Sequence, residues 1–197
     1  MRLRTQISGK YSPDNAALFR FKQLLKQAGL HVSFPVGDEI IEYEEEFAIT
    51  VPQESRVPFH LTEEEFYRRI EENHIQIVYN LYGLQEGYMG ESTVVETAYA
   101  MVCNKPIILL RDPFFGKRAS RTLADIIVAN KEKLFIHPLD LLSAEGVRLY
   151  IQNILASPVD YDLGGEAISL IRYEMIILTE KYRVAWERYI SNKGRRP

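Results

Sequence analysis

The 197-residue sequence has a single cysteine, Cys103, and no long hydrophobic run. One cysteine excludes an intrachain disulfide framework. No stretch approaches the roughly 20 apolar residues of a membrane span. The apolar run that follows Met1 is also too short for the hydrophobic region of a signal peptide. We therefore expect a soluble, cytoplasmic protein that does not insert into a membrane.

The sequence also lacks an excess of basic residues. Its formal net charge is −3, whereas a general nucleic-acid binder needs a basic surface. The four histidines show no metal-ligand spacing, and neither a Walker loop nor a Ser-His-Asp order stands out. These features argue against a nucleic-acid polymer as partner, and we expect no metal and no other cofactor.

What the sequence does contain is an alternation of short apolar runs with helical patterns. Strands are predicted at residues 3–8, 30–36, 75–83, 105–110 and 133–137, with helices between them. This alternation predicts a doubly wound α/β domain with a mainly parallel, Rossmann-like or flavodoxin-like sheet over residues 1–140. Residues 37–61 are interpreted as an irregular insertion, either a hairpin or an extended loop. Residues 141–197 are predicted to form a helical C-terminal extension packed on the same domain.

Two loops of such a domain are candidates for a ligand site. In open α/β sheets, ligands bind beyond the carboxyl ends of the strands. The loop Ser8–Ser12 leaves the first strand, and the loop Asn80–Thr93 leaves the third and contains Gly87 and Gly90. Glycine lets the backbone approach a ligand closely. The helix predicted after Gly90 directs unpaired N–H groups to the same place.

Glu96 lies in a helix predicted over residues 91–103 that otherwise looks buried. The side of this helix away from its main apolar face carries only small uncharged residues, namely Thr97, Ala100 and Cys103. Such residues indicate that this side is also covered, by another element or by a second subunit. Partial desolvation would raise the pKa of Glu96, and the nearby helix N-terminus would oppose that shift. Glu96 is therefore a candidate nucleophile or general base.

A structural role for Glu96 is the alternative. Thr93 and Glu96 have the spacing of a capping box, in which the glutamate bonds back to the N–H of the capping residue. That role does not account for the glycine-rich loop or for the small residues of the helix. The two roles need not exclude each other.

The run "VYNLYGLQEGYMGESTVVETAYAMVCNKPIILL" resembles the nucleoside 2-deoxyribosyltransferase superfamily. Members of that superfamily have a GY-x-G-E-S-T loop, an E-x-G-x-A helix and a G-K-P-I strand. The N-terminal "ISGKYS" is similar to their opening strand and loop. The resemblance implies that Glu96 attacks the anomeric carbon of a deoxyribose and displaces the base. Water or a second base would then resolve the glycosyl-enzyme ester.

The resemblance also implies a set of substrate-binding residues in the two loops. It places Tyr11 near the sugar, and it places Gly90, Ser92 and Thr93 around a sugar hydroxyl or a 5′-phosphate. The full set is Ser8, Gly9, Tyr11, Asn80, Gly87, Tyr88, Gly90, Ser92 and Thr93.

The sequence departs from the superfamily's pattern at two positions. Ala98 replaces a glycine, and Asn80 is not the aspartate with which many active transferases handle the base. Asparagine cannot serve as a carboxylic acid or base. The motif alone therefore does not identify the group that protonates the leaving base.

Three functional hypotheses follow from the sequence. The first is an enzyme that hydrolyses or transfers at the N-glycosidic bond of a nucleoside or nucleotide. The second is a non-catalytic nucleotide-binding or sensor module of the same fold. The third is a scaffold whose 91–103 helix mediates dimerisation. A homo-oligomer is expected in any case, because that helix and the long terminal helix offer surfaces for a partner subunit.

Overall fold

The computed structural model describes residues 3–9, 16–33, 39–44, 47–51, 59–82 and 85–193. Six helices and eleven short strands are assigned within these ranges, and two 3₁₀ turns lie at Lys131–Lys133 and Leu139–Leu141. In chain order the elements are β1 (Arg4–Ser8), α1 (Ala16–Gln27), β2 (His31–Ser33), β3 (Glu39–Glu44), β4 (Phe47–Val51), α2 (Phe59–Glu72), β5 (Ile75–Val78), β6 (Leu81–Tyr82), β7 (Gln85–Glu86), β8 (Tyr88–Met89), α3 (Glu91–Val102), β9 (Ile107–Leu109), β10 (Phe114–Phe115), α4 (Arg121–Ala129), β11 (Phe135–Ile136), α5 (Ala144–Leu155) and α6 (Gly165–Lys193).

The central sheet has five parallel strands in the order β11-β9-β5-β1-β2. This arrangement confirms the predicted doubly wound α/β fold, and it matches the flavodoxin-like strand order. The order reverses between β1 and β5. The connections leaving these two strands pass to opposite faces of the sheet, and in open α/β folds the carboxyl ends at such a point are where ligands bind.

Helices cover both faces of the sheet. On one face, here called the α1 face, α1 and α5 pack against isoleucines such as Ile7, Ile77 and Ile108. On the other, the α3 face, α2, α3, α4 and α6 pack against Val78 and Leu109. Successive strand residues point to opposite faces, so short apolar runs supply both cores.

Helix α6 covers the side of α3 that faces away from the sheet. The α6 sequence has an apolar stripe at helical spacing, and three residues of it, Ile171, Leu178 and Ala185, are buried in the core of the α3 face. On α3, Thr97 and Ala100 are fully buried. The covering element thus belongs to the same chain, and the small residues of α3 are not available to hold a dimer together. Tyr173, Ile176 and Ile177 on α6 are exposed, and oligomerisation stays a prediction.

Several predicted boundaries change. The insertion contains an antiparallel hairpin, β3 with β4, while 34–38, 45, 46 and 52–58 lie outside the described residues. The third strand ends at Val78 rather than at residue 83, because the chain then forms the separate hairpin of β6 with β7. The run "LTEEEFYRRIEEN" has capping-box spacing at Thr62 and Glu65, which would start a helix after Thr62, but α2 begins at Phe59. The Glu65 carboxylate instead accepts hydrogen bonds from Arg68 and Arg69.

Within the part of the chain that the structure describes, no helix combines the length and the apolar character needed to traverse a bilayer.

Candidate functional site

Glu96 lies on α3, close to the carboxyl edge of the sheet. The helix begins at Glu91, after Gly90, so that Glu96 is in its second turn. Only 7 % of Glu96 is exposed, and every residue from Thr93 to Met101 is buried. The predicted shelter of this carboxylate is therefore confirmed.

The capping-box alternative for Glu96 is wrong. Gly90 is the residue that precedes the first turn of α3, and no side chain caps this helix end. Thr93 is the third helical residue, and its carbonyl accepts a hydrogen bond of 2.6 Å from the Thr97 hydroxyl. Glu96 is thus too far along the helix to bond the N–H of the capping residue.

The strands below α3 supply a polar partner for Glu96. The Ser8 hydroxyl, at the end of β1, acts on the Glu96 carboxylate as a hydrogen-bond donor that lowers its pKa. The amide Nε2 of Gln76, on the neighbouring strand β5, donates to the same Ser8 oxygen. Since the Ser8 oxygen accepts from Gln76, its own proton is available to Glu96, and donation to Glu96 favours the ionised form of the carboxylate.

A second buried carboxylate, Glu63 of α2, faces the first. Glu63 is 8 % exposed, and its charge acts on Glu96. Burial raises the pKa of Glu96 well above its usual range, the charge of Glu63 adds to that rise, and the Ser8 hydrogen bond opposes it. Burial raises the pKa of Glu63 to about 7, against the opposing effect of the nearby Tyr67 hydroxyl. Two buried carboxylates of this kind cannot both ionise easily near neutral pH.

Two tyrosines complete what we call the acid cluster, namely Glu63, Tyr67, Glu96 and Tyr182. Burial, followed by the charges of Glu63 and Glu96, raises the pKa of Tyr67 well above its usual range. Burial and the charge of Glu63 do the same to the pKa of Tyr182, whose hydroxyl lies 2.7 Å from the Ser92 hydroxyl. Within the described ranges, no lysine or arginine shifts the pKa of Glu63 or Glu96.

Three polar atoms around the acid cluster are buried without a hydrogen-bond partner among the described residues. They are Glu63 Oε1, the Tyr67 hydroxyl and Gln76 Oε1. The Tyr67 hydroxyl is near enough to affect the pKa of Glu63, but the two do not meet in hydrogen-bond geometry. Because buried polar atoms are almost always hydrogen-bonded, to protein or to ordered water, these atoms are open to a water molecule or to a polar group of a ligand.

Two of the predicted site glycines serve backbone packing. Gly9 has φ +151°, and a Cβ there would lie 2.3 Å from the Tyr79 carbonyl oxygen. Gly87 has φ +87°, and a Cβ there would lie 2.1 Å from the Asp112 carbonyl oxygen. Each glycine is thus required by a close approach of two chain segments, whether or not a ligand binds nearby.

Asn80 is occupied by the protein's own backbone. It is fully buried, its Nδ2 donates to the Arg111 carbonyl at 2.8 Å, and its Oδ1 accepts from the Arg111 N–H at 3.0 Å. Both ends of the amide therefore fix the segment that follows β9. This geometry gives Asn80 a structural role, and its complete burial leaves no exposed amide group for the predicted ligand contact.

The first turn of α3 contacts α6. Besides the bond between Ser92 and Tyr182, the Glu91 carboxylate accepts from Lys181 Nζ at 2.6 Å. Thr93 is 5 % exposed. Helix α6 therefore extends past the start of α3 and forms one wall beside Glu96.

The remaining predicted residues are Tyr88, Gly90 and Tyr11. The Tyr88 side chain packs on Gly90, where a Cβ would lie 3.5 Å from its ring. Tyr11 lies outside the described residues. Of the predicted set, the structure thus brings Ser8 into contact with Glu96, and it places Ser92, Thr93 and Gly90 in the same helix start.

Sequence reasoning missed Glu63, Tyr67, Gln76 and Tyr182. Gln76 carried a signal, since it is the one polar residue in the strand "IQIV". Tyr182 is one of several aromatic residues of α6, and its sequence context indicates no more than packing or a subunit contact. Glu63 and Tyr67 are one helical turn apart on α2, a spacing that places two side chains on the same face.

Comparison with models of known protein families and with curated protein sequences gives no match to this chain. The fold and the site define it as a doubly wound α/β domain with two buried carboxylates at the carboxyl edge of its sheet.

Proposed function

We propose that this protein cleaves or transfers at the N-glycosidic bond of a nucleoside or nucleotide, with Glu96 as the nucleophile. The observation that carries the proposal is the burial of Glu96 beside Ser8 at the point where the strand order reverses. Ligands of open α/β sheets bind at that point. The resemblance of residues 78–110 to the deoxyribosyltransferases supports the same reaction.

The chemistry of the bond explains why a buried carboxylate suits it. Positive charge builds on the sugar as the base departs, and a carboxylate beside the anomeric carbon stabilises that charge and can trap it as an ester. Glu96 must be ionised to do this. The Ser8 hydrogen bond and the N-terminus of α3 favour the ionised form, while burial and the charge of Glu63 oppose it. Ionisation of Glu96 is easiest when Glu63 carries a proton.

Hydrolysis and base transfer share the step in which Glu96 displaces the base. They differ in whether water or a second base then attacks the sugar. The experiment therefore includes reactions with and without an added second base. A new nucleoside in the reactions with added base indicates transfer. Free sugar in the reactions both with and without added base indicates hydrolysis.

The test is incubation with a panel of nucleosides, 2′-deoxynucleosides and their 5′-monophosphates, followed by chromatography for free base. We expect base release from at least one compound, and a loss of at least about 10³-fold in Glu96→Gln, because the amide is a poor nucleophile. The matched control is Glu166→Gln, the same change at an exposed position of α6. Base release that survives Glu96→Gln would contradict the proposal.

A non-catalytic nucleotide-binding module is the second candidate. It is favoured by Asn80, which occupies the position of the superfamily's aspartate and has both amide groups bonded to the Arg111 backbone. A rise in melting temperature with a nucleotide, without release of base over prolonged incubation, would support the module over the enzyme.

A further inference from the structure

The proposed reaction needs a group that protonates the leaving base. Asn80 cannot supply a proton as a carboxylic acid would, and its amide is bonded to backbone. Among the described residues, the carboxyl group whose charge acts on Glu96 is that of Glu63, whereas the Glu91 carboxylate is bonded to Lys181. We propose that Glu63 is the catalytic acid that protonates the departing base, and the base that then deprotonates the attacking acceptor. This inference rests on the proposed function and names a second residue of the same site.

The geometry of Glu63 supports this role. It is held in the second turn of α2, a helix that contacts both α3 and α6. More than nine-tenths of the residue is buried, and its Oε1 has no hydrogen-bond partner in the described part of the chain. A purely structural buried carboxyl group is normally fully bonded. The free oxygen can therefore bond a group of the substrate.

The charges around Glu63 indicate one proton shared by the two carboxyl groups. The groups that face it are Tyr67 on its own helix, Glu96 on α3 and Tyr182 on α6. All are acids, and the nearby cation Lys181 is bonded to Glu91. Two negative charges at this place would repel each other in a medium of low polarity. The two carboxyl groups are therefore expected to hold one proton between them at neutral pH.

One shared proton is what a two-step displacement requires. In the first step the bond from the anomeric carbon to the base nitrogen breaks, a bond from Glu96 oxygen to that carbon forms, and the Glu63 proton passes to the base. In the second step Glu63 takes a proton from water, or from the nitrogen of an incoming base. The acceptor then bonds the anomeric carbon, and the ester to Glu96 breaks. The cycle ends with Glu63 protonated and Glu96 ionised, as it began.

The experiment compares two leaving groups in Glu63→Gln. Any deoxynucleoside that the wild type cleaves is one substrate, and 4-nitrophenyl 2-deoxyriboside is the other, because nitrophenolate departs without being protonated. We expect about a 10²–10⁴-fold loss with the nucleoside. With the nitrophenyl substrate we expect a burst of about one nitrophenolate per enzyme, followed by slow turnover. Azide, which attacks without losing a proton, should restore turnover with the second substrate.

The control variants separate the roles of the two carboxylates. Glu64→Gln changes the next residue of α2, which is exposed, and it should retain full activity. Glu96→Gln should lose the burst as well as the turnover. The acid role of Glu63 is contradicted if Glu63→Gln cleaves the nucleoside as fast as Glu64→Gln does. It is also contradicted if Glu63→Gln is folded but gives no burst. Neither result touches the nucleophilic role of Glu96, which Glu96→Gln tests separately. If the wild type releases neither base nor nitrophenolate, the proposed function fails, and this inference fails with it.

Discussion

The two faces of the sheet differ in polarity, although the same strands build both. On the α1 face, β1 and β5 present Ile7, Ile75 and Ile77. On the α3 face, the alternate residues of these strands include Ser8 and Gln76, which bond each other below Glu96. One face is thus an ordinary apolar core, and the other holds polar groups where the helices could have packed on aliphatic side chains.

This difference indicates where the fold gives up stability. Burying a carboxyl group costs free energy unless it is neutral or well paired, and an apolar side chain of similar size is often more stable in the same place. Glu63 and Glu96 have no such compensation from cations in the described ranges. We therefore expect the α1 face to contribute stability that is insensitive to pH, and the α3 face to make stability depend on pH.

The largest expected effect on stability is on the α1 face. Leu25 of α1 is fully buried, and Leu25→Ala should lower the free energy of unfolding by about 2–5 kcal/mol, because it leaves a cavity in a packed core. Urea denaturation at pH 5 and at pH 8 should give the same loss. The matched control is Leu149→Ala on α5, where the side chain is half exposed and the change should cost less than about 0.5 kcal/mol. A loss that changes with pH would contradict the expectation that the α1 face contributes stability insensitive to pH.

A smaller effect, of opposite sign, is expected on the α3 face. The pKa of Glu63 is about 7 in the folded protein, above its value in the unfolded chain. The folded state therefore binds this proton more tightly, and stability falls as pH rises from about 4.5 to about 7. Glu63→Gln has no proton to lose. It should be more stable than the wild type by on the order of 1–3 kcal/mol at pH 8, with little difference at pH 4.5.

The measurement is urea denaturation across this pH range, with Glu64→Gln as the control. Because Glu64 is exposed, its variant should follow the wild type at every pH. If the free energy of unfolding of Glu63→Gln also changed with pH as that of the wild type does, the carboxyl group of Glu63 would not be buried in solution. Glu63 would then not belong to the acid cluster.

Local sequence patterns were enough to predict the layered fold. The parallel strands follow from short apolar runs, and the buried α3 follows from small uncharged residues around Glu96. Ser8 was also predicted at the site, because Ser8 ends the first strand and ligands of open α/β sheets bind beyond the strand ends. Boundaries were less predictable: α2 starts three residues before Thr62, since a strong capping pattern does not prevent a helix from beginning earlier.

The second carboxylate could not be predicted, and the reason lies in three consecutive glutamates. Glu63, Glu64 and Glu65 are identical in type, yet Glu63 is buried, Glu64 is exposed and Glu65 is bonded to arginines of its own helix. Successive residues of a helix point about 100° apart. Which one is buried depends on α6, which begins about 100 residues later in the chain and carries Tyr182 to the same place.

The smallest expected effect concerns this contact between α6 and the start of α3. Tyr182→Phe removes the hydroxyl that lies 2.7 Å from the Ser92 hydroxyl while keeping the ring. It should lower the free energy of unfolding by about 0.5–1.5 kcal/mol, the usual net contribution of one hydrogen bond. Ser92→Ala should cost a similar amount, and the double variant should cost less than the sum, because the two residues share one bond. Thermal denaturation of the wild type, the two single variants and the double variant completes this double-mutant cycle. Additive losses would show that the bond is not formed in solution. In that case the Tyr182 hydroxyl would not be fixed at the first turn of α3, although Leu178 and Ala185 would still hold α6 in the core of the α3 face.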